Sequence, residues 1–178
     1  MKTFIICILI AISLITSGSI QITNKVEVSW LKRTFSNNLT WNEMLSVSDS
    51  PQEVCRHVYT RVQYSTNETP TTTTGQMIWD IKKGNCLGIS KAVNDACKSK
   101  GYLSRIQIYF TPGKPSGHAI AMGVYKDKLW ICDNGKFQYV KSKMEIARIM
   151  RREHIPHGTI YSDTYDENDE SKLKIADE

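Results

Sequence analysis

The sequence predicts an α+β fold in which a central helix packs on an antiparallel β-sheet. Three observations carry this reading. Capped helical segments fill the first half, and β-rich runs joined by turn signals follow them. The two kinds do not alternate as βαβ units would.

Residues 20–50 are polar with scattered apolar anchors, and a short helix is expected around Trp41–Ser46. Ser50-Pro51-Gln52-Glu53 is a helix start: Ser as N-cap, Pro at the first helical position, Glu three residues after the cap. Val54, Val58 and Val62 recur every four residues, so this helix buries one stripe and ends near Gln63-Tyr64-Ser65. Asn67 to Gly75 is a Thr-rich loop. Gly84-Asn85 precede a second helix, Cys86 to Lys100, whose apolar positions Ile89, Ala92, Val93 and Ala96 suit close packing on a sheet. Gly101 is a left-handed stop for it. Tyr102–Phe110 and His118–Tyr125 then read as strands around the turn Thr111–Gly117. Lys126-Asp127-Lys128 is a tight turn into a third strand, Leu129–Asp133. Asn134-Gly135 is a hairpin signal before a fourth, Phe137–Val140. Ser142-Lys143-Met144-Glu145 opens a last helix, running to about Arg152.

A composition of 40% hydrophobic and 23% charged residues excludes a collagen-like, wholly disordered or multi-span membrane chain. The net charge of +5 is uneven: residues 163–178 are strongly acidic, and residues 20–162 carry +9. Such a body favours an anionic partner, a wall polymer among them. At the amino end, Lys2 is followed by the apolar run Phe4–Ile12 and the small residues Ser17-Gly18-Ser19, the pattern of a secretory signal. Residues 1–19 are expected to be removed after Ser19. The alternative is an N-terminal membrane anchor, since 19 uncharged residues run from Phe4 to Ile22. Four cysteines then remain outside the cytoplasm, Cys55, Cys86, Cys97 and Cys132. If Cys86 is a working thiolate, the other three allow one disulfide at most; free buried thiols are the alternative.

Cys86 sits one residue after a plausible N-cap, where unsatisfied N–H groups and the helix dipole favour an anion. A thiol there drops below its usual pKa of ~8.5; a small buried hydrophobe is the competing reading. Pairing Tyr125 with Lys128 puts Asp133 opposite Ile120 and on the same face as His118. His118 and Asp133 are then diagonal neighbours, roughly 7–8 Å apart at the backbone, and a slip of one residue would separate them. This geometry permits a Cys86 nucleophile, a His118 base and an Asp133 that orients the ring. Singly, His118 also reads as a turn residue and Asp133 as a turn cap.

In this order, Gly84-Asn85-Cys86, Gly101-Tyr102-Leu103-Ser104-Arg105, Gly117-His118-Ala119 and Leu129-Trp130-Ile131-Cys132-Asp133 resemble the transglutaminase-like cysteine enzymes with their papain-like core. The resemblance covers about residues 50–135. It implies a papain-like/transglutaminase-like fold and a triad of Cys86, His118 and Asp133 acting on an amide by acyl transfer, to water or to an amine. Asn85 stands where the family often has an acid, and Ile120-Ala121-Met122 where it often has Trp and acids. Besides the Cys86 N–H, Trp79 through its indole N–H or Gln76 is a candidate second oxyanion donor, although a place in the core is the better reading of Trp79.

The expectation is therefore an exported cysteine hydrolase of peptide bonds, with a non-catalytic binding module on the same fold or a protein-glutamine acyl transferase as alternatives. Its domains are a signal (1–19), an extension (20–49), the transglutaminase-like domain (50–162) and a disordered acidic tail (163–178). The expected partner is a peptide or protein substrate, peptidoglycan included, and not nucleic acid. No cofactor and no metal are expected: His57, and His154 with His157, read as surface histidines without further ligands at a recognised spacing. Oligomeric state is left open.

Overall fold

Each described helix of the computed structural model opens on a side-chain cap that the local sequence supplies. The structure describes residues 38–67, 72–111, 113 and 117–155, and the backbone of a strand at 161–164. Thr40 and Glu43 form a reciprocal capping box for α1 (Trp41–Val47). Ser50 caps α2 (Pro51–Arg61), with Pro51 in the first turn as expected. Two short parallel strands, β1 (Gln63–Tyr64) and β2 (Lys83–Gly84), flank α3 (Gly75–Ile81). Asn85 caps α4 (Cys86–Ser99), and Gly101 leaves it at φ +75°. Strands β3 (Leu103–Phe110), β4 (Gly117–Tyr125), β5 (Lys128–Asp133) and β6 (Lys136–Val140) form the meander. Helix α5 (Lys143–Glu153), capped by Ser142, and strand β7 (Tyr161–Thr164) are the last described elements.

The five-stranded antiparallel sheet has the order β6-β5-β4-β3-β7. Two-residue turns set its register. Lys126 and Asp127 take positive φ, as do Asn134 and Gly135, which matches the right-handed twist of the flanking strands. Helices α1 to α4 and one face of the sheet, through Ala121, Trp130 and Cys132, share one core. On the other face Ile120, Met122, Leu129 and Ile131 pack with Ile146, Ile149 and Met150 of α5. The described residues form a mixed α+β fold with helices on both faces of an antiparallel sheet.

Three elements differ from expectation. Helix α3 lies where the Thr-rich loop was expected to end, because Thr74, read as loop, accepts from the Met77 N–H as an N-cap. Trp41 and Met44 of α1 belong to the first core, so packing begins upstream of the expected boundary at residue 50. Strand β7 pairs with β3 and includes Asp163 and Thr164, two residues assigned to the acidic tail. The expected signal segment and residues 165–178 lie outside the described residues. No described helix is long and apolar enough to cross a membrane.

Candidate functional site

Cys86 is the first residue of α4. Asn85 takes an extended conformation, and its Oδ1 accepts from the Gly88 N–H at 2.9 Å. The next turn closes with Ile89 N–H on the Asn85 carbonyl at 2.9 Å. The Cys86 thiol is half-buried. Burial acts to raise its pKa, but a hydrogen bond with the His118 side chain and one from the backbone N–H of Ala119 outweigh burial. The charge of His118 and the Leu87 N–H add to them, so the thiol titrates below its ordinary value.

The register of β4 and β5 is the one the turn predicts. Tyr125 pairs with Lys128 and Ala121 with Cys132, which puts Ile120 opposite Asp133. His118 Nε2 lies 2.7 Å from Asp133 Oδ1, with both side chains buried. Burial would lower the His118 pKa. Hydrogen bonds with Asp133 and with Cys86, and the charges of both, raise it to about 9 instead. Burial likewise acts to raise Asp133, but the hydrogen bond and charge of His118, followed by those of His154, hold its carboxyl below the usual range. Since Nε2 of His118 faces Asp133, Nδ1 is the ring nitrogen that remains for another partner.

The helix body and the His118–Asp133 pair belong to opposite faces of the sheet. His118 alternates with Ile120 and Met122, and Asp133 with Ile131 and Leu129, all on the α5 side. Helix α4 packs on the other side through Ile89, Ala92 and Val93. They meet only at the rim. Strand β5 ends at Asp133, opposite Ile120, while β4 continues against β3 as far as Gly117. At His118 and Ala119, therefore, β4 has a pairing strand on one side only among the described residues. The first turn of α4 reaches the Ala119 N–H and the His118 ring at that free stretch.

The group that closes around Asp133 is not the expected one. His154, directly after α5, places its Nε2 2.6 Å from Asp133 Oδ2. Its ring stacks on that of His118, with centroids 3.7 Å apart and planes 14° from parallel. Among the described residues, His118, Asp133 and His154 form a His-Asp-His cluster whose potential ligand atoms lie within 4.8 Å of one another, and Cys86 is not a member. As it stands this is a hydrogen-bonded arrangement. A zinc ion would need to sit about 2.0–2.1 Å from each nitrogen and in the plane of each ring. Two nearly parallel rings 3.7 Å apart cannot both meet that condition until one turns away.

The Trp79 side chain is fully buried, as its core reading expects, and its indole N–H donates to the Leu39 carbonyl at 3.1 Å, so it has no proton for an oxyanion. Other expectations are corrected. Gln76 is exposed and lines a pocket of about 460 Å³ with Arg61, Asp80 and Lys82; Cys86, His118 and Asp133 are not among its walls. His57, expected at the surface, is fully buried. His154, also expected there, is a quarter exposed and holds Asp133; His157 lies outside the described residues. A periodic signal for His154 did exist: Ile146, Met150 and His154 fall four residues apart, on the stripe that α5 turns to the sheet. Cys55, Cys97 and Cys132 are buried free thiols.

No protein-family profile matches the chain, and no curated protein matches it. Solved structures do. A candidate cysteine protease from Cytophaga hutchinsonii matches at 12% identity and a TM-score of 0.44, over 78% of this chain and 49% of that one. A protein described as a TGase matches at 12% identity and a TM-score of 0.39, over 80% and 40%. The chain thus spans about half or less of the length of these structures. The likeness is one of fold, remote and partial.

Proposed function

We propose that this chain performs thiol acyl transfer on an amide, with Cys86 as nucleophile, His118 as acid and base, and Asp133 as the group that orients the imidazole. The observation that carries the reading is the 2.7 Å bond from His118 Nε2 to Asp133 Oδ1, which leaves the other ring nitrogen for the Cys86 thiol. The depressed Cys86 thiol and the His118 pKa of about 9 support a thiolate–imidazolium pair at neutral pH.

In this reading the Cys86 thiolate attacks the carbonyl carbon of the amide, and the carbonyl π electrons move to oxygen. The Cys86 N–H, which has no carbonyl to bond within the helix, faces the developing oxyanion. Collapse of the tetrahedral adduct forms a thioester and breaks the C–N bond, and His118 gives its proton to the departing amine. Neutral His118 then removes a proton from water or from a second amine as that nucleophile attacks the thioester. The thiolate leaves, and His118 holds the proton again. Hydrolysis and transfer to an amine differ only in which nucleophile enters. The Lys2 and Phe4–Ile12 pattern supports action on a peptide or protein outside the cytoplasm.

A second reading is binding without turnover on the same fold. It is favoured by the His118-Asp133-His154 cluster, in which Asp133 is engaged by two histidines and Cys86 stands outside. The experiment that separates the two is alkylation of Cys86 by iodoacetamide at pH 6, with the Cys86→Ser variant as background, alongside release of amine from a peptide library. The acyl-transfer reading expects Cys86 to react far faster than β-mercaptoethanol and Cys86→Ala to abolish amine release. A Cys86 no faster than the simple thiol supports binding alone.

A further inference from the structure

We propose that His154 is a positioning residue of the Cys86 site: it pins Asp133 in the orientation that serves His118, and its ring closes one face of the His118 imidazole. This rests on the acyl-transfer reading given above. An ionised carboxylate only accepts hydrogen bonds, so the 2.6 Å contact requires a proton on Nε2 of His154. Asp133 is thereby held at both oxygens, Oδ1 by His118 and Oδ2 by His154. A carboxylate bonded at one oxygen alone is free to rotate about its Cβ–Cγ bond and to hydrate. Held at both, its plane is fixed.

The support for His154 is itself rigid. Its N–H bonds the Met150 carbonyl at 3.0 Å, and the Ile155 N–H bonds the same carbonyl at 2.8 Å. Ile155 is buried in the core beneath α5, so the backbone is anchored on both sides of the ring. The stacked rings do the rest. With centroids 3.7 Å apart, no water fits between His154 and His118, and the His118–Asp133 bond is screened from solvent on that side. The three side chains are 10%, 11% and 24% exposed for His118, Asp133 and His154, so His154 is the outermost layer of the pair.

The test is the pH profile of Cys86 alkylation by iodoacetamide in full-length protein, with Cys86→Ser as background and the melting temperature of every variant recorded. Three substitutions divide the role. His154→Gln keeps an N–H at similar reach, His154→Phe keeps a stacked ring without the donor, and His154→Ala removes both. A charge-assisted hydrogen bond is worth roughly a tenfold to hundredfold change. His154→Phe and His154→Ala are therefore expected to slow alkylation at pH 6 by that factor and to move the acid-side midpoint upward, while His154→Gln keeps most of the rate. If His154→Phe keeps the wild-type profile, or the variants change only the melting temperature, the role is overturned. A wild-type Cys86 that reacts no faster than β-mercaptoethanol overturns the acyl-transfer reading and this inference with it. A fast wild type with unchanged variants overturns this inference alone.

Discussion

Tyr125 lies opposite Lys128 across a two-residue turn, and that single pairing sets the face of every side chain on β4 and β5. Because side chains alternate along a strand, it brings His118 and Asp133 to one side, where they meet at 2.7 Å. The turn residues between them, Lys126 and Asp127, both sit at positive φ (51° and 60°). The site therefore depends on a conformation that L-residues adopt at some cost.

Substitutions in this turn should act in opposite directions. Asp127→Gly relieves the positive φ and is expected to leave stability unchanged or raise it by up to about 1 kcal/mol. Asp127→Pro locks φ near −65° and should cost about 2 kcal/mol or more, with loss of rapid Cys86 alkylation as the hairpin register is disturbed. Urea unfolding and the alkylation rate measure the two effects.

His118 should make stability depend on pH in the alkaline direction. Its proton is held to about pH 9 in the folded chain, against an ordinary value near 6.5 when unfolded. The folded state therefore binds the extra proton between those limits. The stability this contributes, on the order of 3 kcal/mol at most, is whole below about pH 6.5 and lost as pH rises through about 9. His118→Gln should remove that slope, so urea midpoints of wild type and variant should converge from pH 6.5 to 9.

Gly123 is required by the close approach of its neighbours. A Cβ there would fall 2.0 Å from the Leu103 carbonyl oxygen and 2.8 Å from the Trp130 ring. The first is backbone of the paired strand and the second a fully buried side chain, so neither gives way cheaply. Gly123→Ala should destabilise by about 2–4 kcal/mol in chemical denaturation. Gly101→Ala, where nothing lies within 4 Å and only the positive φ is strained, should cost about 1–2 kcal/mol.

The core thiols should be silent in the native state. Burial, reinforced for Cys55 by its hydrogen bond with Cys132, pushes the Cys55 thiol well above its ordinary value; burial does the same to Cys97. Among Cys55, Cys86, Cys97 and Cys132, a disulfide reagent such as dithionitrobenzoate should titrate Cys86 first in folded protein. The other three should follow only on unfolding in guanidinium. Rapid reaction of a second thiol in native protein would contradict their burial.

Local chemistry is legible without coordinates where it is local in origin. Ser50, Asn85 and Ser142 announce their helices because a cap bonds N–H groups two or three residues away. Lys126-Asp127 and Asn134-Gly135 announce hairpins, and a hairpin carries its register with it, so the His118–Asp133 pairing could be read by counting residues. Helix α3 escaped because seven residues give too little periodicity and its cap, Thr74, stands in a run of threonines. The ring of His57 was misplaced because burial depends on what packs above a residue, which neighbours in sequence do not reveal.

What the chain by itself determined was the α+β order, the capped start of α4 at Cys86 and the common face of His118 and Asp133. Only the tertiary structure decided that α4 packs on one face of the sheet while that pair lies on the other, at the end of β5. It also decided that His154, twenty-one residues beyond Asp133, takes the second carboxylate oxygen. The reason is physical: caps and turns are closed by bonds spanning a few residues, whereas the docking of α5 is set by apolar burial against strands far away in sequence, and the four-residue spacing that puts His154 on the buried stripe does not say which strand residue it meets.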